Sequence, residues 1–289
     1  MRETRTGPTA PSMYAGGHAT RSDRGAPGPW LAMGYVHIVR DFPSTPEGFR
    51  RTVRIYTPDG YDAAEEHRFP VLYMHDGQNV FAHPESALFD TWCANLVLES
   101  MVNEGRSEPW IIVAVDSGTG RLQEYSPWDE PRSGVKARGE AYARFLVEEL
   151  KPYIDRTYRT RPSAEWTATM GSSLGGLFSL YLGLRSPEVF GRIGALSPTV
   201  MWSGNRLFDQ WTQHSRQWTR IYLDAGSHEF IQPAGVPLNY GEATRDFYFH
   251  LKRLGYADHE LFLVLEPGGG HHERDWQRRL PFALRWLLG

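Results

Sequence analysis

Between two glycines, Gly171 and Gly175, the chain reads Gly-Ser-Ser-Leu-Gly, with Ser173 at the centre of a G-x-S-x-G string. A β-leaning run, Trp166 to Met170, leads into it, and an apolar helical pattern, Leu174 to Leu184, follows without a spacer. Strand, tight turn and helix in that order are the setting in which a serine hydroxyl is lifted above a sheet edge to attack an acyl carbon. The reversal forces Ser173 into a strained backbone conformation, and side chains two residues to either side would collide. Gly171 and Gly175 remove them. The N–H of Leu174, at the helix N-terminus, is then aimed at the same point as a donor for an oxyanion.

A serine hydroxyl needs a base, and the base needs an orienting carboxylate. With this elbow they follow in the order serine, acid, histidine. The base is sought after the last predicted strand, where Leu261–Leu265 runs into Glu-Pro-Gly-Gly-Gly-His271-His272. Three glycines give a bare loop able to carry an imidazole over the serine, and His271 and His272 both qualify. The acid belongs after the preceding strand, Arg220–Ala225, which continues Gly-Ser-His-Glu229. Glu229 lies in the loop and Asp224 within the strand; loop position favours Glu229. A second oxyanion donor is expected after an early buried strand, in His75-Asp76-Gly77-Gln78-Asn79, where Gly77 lets the backbone approach and Gln78 supplies the N–H. His75 reads as structural. His271-His272-Glu273 lacks the H-E-x-x-H spacing of a zinc site, and this chemistry calls for no metal or organic cofactor.

Strands and helices must alternate to set these groups at one edge. Gly34–Arg40 and Arg51–Thr57 read as an antiparallel opening pair ended by the turn Pro58–Tyr61. Phe69–Met74 and Trp110–Val115 read as strands buried on both faces. Trp92–Val102, Gly139–Tyr158, Ala243–Leu254 and Asp275–Leu288 carry helical patterns, and Ile193–Leu196 begins another strand. The expected fold class is α/β, a mostly parallel central sheet with helices on both faces, which binds ligands beyond the carboxyl ends of the strands.

The chain has 289 residues, a formal net charge of −3 and one cysteine. One large domain, 30–289, is expected after a disordered lead-in, 1–29, rich in Gly, Pro, Ser, Thr and Arg. Met13 and Met33 are alternative starts. The lead-in lacks a secretory hydrophobic stretch, and a lone cysteine suits a reducing compartment, so a cytoplasmic location is expected. Scattered charge and the lack of a long apolar run argue against nucleic-acid and membrane partners, and the serine, histidine and acid set points to a small-molecule ester substrate. Cys93, in the apolar F-D-T-W-C-A-N-L-V-L, reads as a buried structural thiol.

Five ordered blocks, V-L-Y-M-H-D-G-Q-N-V-F, G-S-S-L-G-G-L, L-S-P-T-V-M-W, Y-L-D-A-G-S-H-E and G-G-G-H-H-E-R-D-W, together resemble the putative-esterase family of α/β-hydrolases. That group includes enterochelin esterases, feruloyl and acetyl-xylan esterase domains, S-formylglutathione hydrolases and antigen-85 mycolyltransferases. The resemblance, from about Tyr35 to Leu288, implies a serine esterase working through an acyl-enzyme. Its histidine stands five residues before a tryptophan, so Trp276 selects His271. Its acid ends a G-T-x-D/E stretch, matched by Gly226-Ser227-His228-Glu229, with Glu where many members have Asp. An R-x-x-E-Y-x-P segment is matched by Arg121, Glu124, Tyr125 and Pro127, which read as a salt-bridged scaffold. Alternatives are an acyltransferase with the same triad, or a binding protein on this fold. Trp128 and Trp202 suit either a substrate wall or core packing.

Overall fold

A computed structural model describes residues 34–289 apart from 64, 88–89, 215, 217 and 232–237. The lead-in expected at residues 1–29 lies outside the described residues, and the described residues form one compact unit. The strands are β1 (Tyr35–Ser44), β2 (Phe49–Thr57), β3 (Val71–His75), β4 (Ile111–Val115), β5 (Thr167–Ser172), β6 (Arg192–Leu196), β7 (Arg220–Gly226), β8 (Phe230–Ile231), β9 (Leu238–Asn239) and β10 (Leu261–Glu266). The α-helices are α1 (Ala94–Asn103), α2 (Arg121–Glu124), α3 (Gly139–Arg144), α4 (Lys151–Thr157), α5 (Leu174–Arg185), α6 (Trp202–Gln213), α7 (Tyr240–Arg253) and α8 (Glu273–Leu288).

Eight strands form one sheet in the order β1-β2-β4-β3-β5-β6-β7-β10. β1 pairs antiparallel with β2 and β2 with β4; every pairing from β4 to β10 is parallel. This is the α/β-hydrolase arrangement. Alternation along β3 explains how the sheet is covered: Val71 and Tyr73 enter a core with Leu177, Phe178 and Phe247, while Leu72 and Met74 enter one with Leu98, Leu280 and Leu284. Helices α3 to α7 thus cover one face, and α1 and α8 the other. β3, β4, β5 and β6 are buried throughout, as the apolar runs of β3 and β4 led one to expect.

Three elements differ from expectation. The helix expected over Gly139–Tyr158 contains a π-helical stretch, Phe145–Leu150, between α3 and α4. Pro152 opens α4 and has no N–H to give back to that stretch, so the register widens there. Helix α6 and the β8–β9 hairpin carried no sequence signal. Cys93 is not inside a helix but caps α1 with a left-handed φ of 51°, and it is half-buried. Gln277 Nε2 donates to its sulfur at 3.4 Å.

Candidate active site

The carboxyl ends of β5, β6, β7 and β10 are laced together one residue beyond each strand. Ser173 N–H donates to Leu196 O at 2.9 Å, Ser197 N–H to Asp224 O at 2.8 Å and Ser227 N–H to Glu266 O at 2.9 Å. The loop after each strand therefore starts from a fixed point beside the next.

Ser173 sits between β5 and α5 with φ 56° and ψ −122°, a region that non-glycine residues rarely occupy. A Cβ at Gly171 would lie 2.7 Å from the Gly175 carbonyl carbon and 2.9 Å from His75 Cδ2. The reversal expected from the spacing is present, and Gly171 makes room for it. The candidate base arrives on the loop after β10. His271 Nε2 is 3.0 Å from Ser173 Oγ, and Nδ1 is 3.0 Å from Glu229 Oε2. A carboxylate only accepts, so Nδ1 carries the proton and Nε2 is left to receive one from the serine. Tyr240 and Trp276 flank the imidazole at ring-centroid distances of 4.4 and 4.9 Å.

Glu229 is fully buried and follows β7. Its Oε1 accepts from Gly226 N–H at 2.6 Å, Ser197 Oγ at 2.7 Å and Arg279 Nη2 at 3.1 Å. Asp224, the other candidate acid, has both oxygens engaged by other groups. Its Oδ1 is in an ion pair with Arg279 Nε at 3.1 Å, and its Oδ2 accepts from Tyr222 OH at 3.2 Å. Burial pushes the Asp224 carboxyl up to about 7, against the pull of Arg279. His272, the rival base, caps α8 and accepts from Arg274 N–H at 3.3 Å. The acid and base loops touch: a Cβ at Gly226 would lie 2.1 Å from Gly269 O, and His228 N–H donates to that oxygen at 2.9 Å.

The loop after β3 forms a 3-10 turn, Gly77–Asn79. The left-handed residue is Asp76 (φ 55°), while Gly77 packs where a Cβ would be 2.8 Å from the Val115 carbonyl carbon on β4. Gln78 and Leu174 both lie in the first turn of a helix, where backbone N–H groups have no intrahelical acceptor. The Gln78 side chain is locked to Ser117 by bonds of 2.9 and 3.1 Å. Asp76 is paired with Arg121 at 2.7 and 2.8 Å, and its N–H donates to Tyr125 OH. Arg51 ties Glu124 at 3.0 Å. The R-x-x-E-Y segment is thus a scaffold under this loop. His75 beneath it touches Tyr142 OH at 3.2 Å, and burial lowers its pKa to about 3. Trp128 packs edge-on to Tyr181, and Trp202 packs against the core.

Sequence spacing missed four neighbours of the Ser173, His271 and Glu229 side chains. Ser197 and Arg279 grip Glu229. Thr199 Oγ1 stands 3.4 Å from Ser173 Oγ and 3.3 Å from Tyr240 OH. Ser197 and Thr199 fall in the L-S-P-T block, which was the available signal. Arg279 and Tyr240 lie on helices and have none.

The sequence profile of the family described as "Putative esterase" matches residues 44–287. The chain belongs to this esterase family. It is accordingly a carboxylic ester hydrolase by class. It is similar to the uncharacterized protein YbbA of Bacillus subtilis, 24% identical over 246 residues, which span 83% of this chain and 93% of that protein. Among solved structures, the enterobactin esterase of Shigella flexneri superposes with a TM-score of 0.67 at 22% identity, covering 88% of this chain and 59% of that one. A ferulic acid esterase from Anaeromyces mucronatus does so with a TM-score of 0.68 at 19% identity, covering 91% and 94%. At such identities the structural likeness is one of fold.

Proposed function

We propose that this esterase cleaves a small-molecule ester through a covalent acyl-enzyme, with Ser173 as nucleophile, His271 as base and acid, and Glu229 as orienting carboxylate. The observation that carries the reading is the pair of 3.0 Å contacts that His271 makes, one to Ser173 Oγ and one to Glu229 Oε2. Ser173 Oγ attacks the acyl carbon while His271 Nε2 takes its proton, and the N–H groups of Leu174 and Gln78 stabilise the oxyanion. His271 returns the proton to the departing alcohol as the ester bond breaks. A water molecule, deprotonated by His271, then releases the acid and restores Ser173. Nothing in this sequence of steps calls on a metal or organic cofactor.

Solved structures of similar fold act on enterobactin or carry ferulic acid, so esters of hydroxylated aromatic acids head the substrate panel, beside acetylated sugars and p-nitrophenyl esters. Ser173→Ala is expected to lower turnover at least about a thousandfold, and a fluorophosphonate probe to label Ser173 one-to-one. Wild-type turnover in that variant would sink the reading. Glu229→Gln is expected to cut kcat by roughly 10²–10⁴-fold by stabilising the wrong imidazole tautomer; steady-state kinetics on the best panel substrate checks it.

A further inference from the structure

Two buried carboxylates, Asp224 and Glu229, follow one another at the end of β7, and both reach the same guanidinium. We propose that Arg279, acting with Ser197, is the positioning residue that makes Glu229 and not Asp224 the acid that orients His271, a proposal that rests on the triad reading above.

The argument begins with hydrogen-bond capacity. A serine hydroxyl has one proton and two acceptor positions. Ser197 Oγ accepts from Trp276 Nε1 at 2.9 Å and from Arg279 Nη2 at 2.7 Å. Indole and guanidinium nitrogens only donate, so both acceptor positions are filled. The one proton of Ser197 must then go to Glu229 Oε1, 2.7 Å away. A carboxylate only accepts, so this bond can run no other way, and Arg279 with Trp276 fixes the position of the hydroxyl that makes it. Arg279 also holds Glu229 itself, through Nη2 at 3.1 Å.

The planar fork does the rest. Arg279 Nε stands 3.1 Å from Asp224 Oδ1 and Nη1 3.0 Å from Glu266 Oε2, so the positions of its partners are fixed relative to one another. Asp224 is committed to Arg279, to Ser197 N–H at 3.2 Å and to Tyr222 OH. Glu229 has its Oε1 clamped by three donors, which stops the carboxylate turning and leaves Oε2 for His271. The titratable and charged groups around this pair are Asp224 and Tyr222 from β7, Glu266 from β10, Tyr240 from α7 and Arg279 from α8. Arg279 is the cation in contact with Glu229; Arg121 acts on Tyr240, and Arg278 is paired with Glu266. Removal of Arg279 leaves the negative charge of Glu229 unshielded, favours the imidazolium form of His271 and moves the acid limb of activity to higher pH.

The test is kcat/KM against pH on the best p-nitrophenyl ester, normalised to sites labelled by a fluorophosphonate. Arg279→Gln is expected to lower kcat about tenfold or more, leave KM within about twofold, and raise the acid limb by about half a pH unit or more. Arg279→Lys keeps the charge, so its limb stays near wild type and part of kcat returns. Ser197→Ala lowers kcat with KM held. Asp224→Asn leaves kcat within about threefold, in contrast to Glu229→Gln. If Arg279→Gln does not fold, Asp224→Asn combined with it removes one buried charge of each sign and carries the kcat comparison, while the limb is compared between Arg279→Lys and wild type. Equal losses in the Gln and Lys variants with an unmoved limb would reduce Arg279 to a packing residue and overturn the proposal. So would an Asp224→Asn loss as large as that of Glu229→Gln. A Ser173→Ala variant that retains turnover brings down the triad reading, a separate result from either.

Discussion

His75 lies among the rings of Tyr125, Tyr142 and Phe178, and its fate on acidification can be worked out from its surroundings. Burial takes its pKa from 6.5 to about 3. Between those values the unfolded chain binds a proton that the folded one refuses. Its contribution to stability is therefore full above pH 6.5 and lost as pH falls towards 3, at up to about 1.4 kcal/mol per pH unit. His75→Asn is expected to be less stable at pH 7 yet to show a shallower decline from pH 6.5 to 4, measured by urea unfolding at each pH. At this scale the sequence was readable where chemistry is local. Ser173 announced itself through two glycines, and the histidine pair through a glycine run after a strand. Arg279 and Ser197 did not, because the bond between them spans 82 residues. Choosing between His271 and His272 needed Trp276, whose indole docks on Ser197.

Between elements, the closest fit is that of α5 against β6. A Cβ placed on Gly183 would come 1.8 Å from Ile193 Cδ1. Gly183→Ala must therefore move the isoleucine or push out the helix that carries Leu174, at a cost of about 1–3 kcal/mol. Adding Ile193→Val removes the obstructing methyl, and the double variant is expected to melt above Gly183→Ala alone in a thermal scan. If Ile193→Val brings no recovery, the contact is not what limits that packing. Buried strands and strongly periodic helices were legible from apolar spacing. Helix α6 was not: its first turn holds Ser203 and Gly204 at positive φ, and only Leu207 and Trp211 of its side chains are firmly buried among those described. Such a helix is set by what it leans on and not by its own pattern.

For the whole molecule, the strand order places β3, β5 and β6 deep inside the sheet and leaves β1 and β10 at its rims. Hydrogen–deuterium exchange read by mass spectrometry is expected to be slowest in β3, β5 and β6 and much faster along β10, whose outer edge has no paired strand among the described residues. Uniform protection across the sheet would contradict this. The parallel architecture was visible from alternating strand and helix signals. The order β4-β3-β5 was not, since nothing in a run of valines and isoleucines says which neighbour it will join.

The contact between Gly226 and Gly269 welds the loops of Glu229 and His271 into a single part. Substitutions in 226–229 and in 266–271 should consequently show strong thermodynamic coupling in double-mutant cycles, and directed evolution of new specificity should find its freedom outside these two segments. Selection can vary what surrounds these two loops, but the pair itself is cast in one piece.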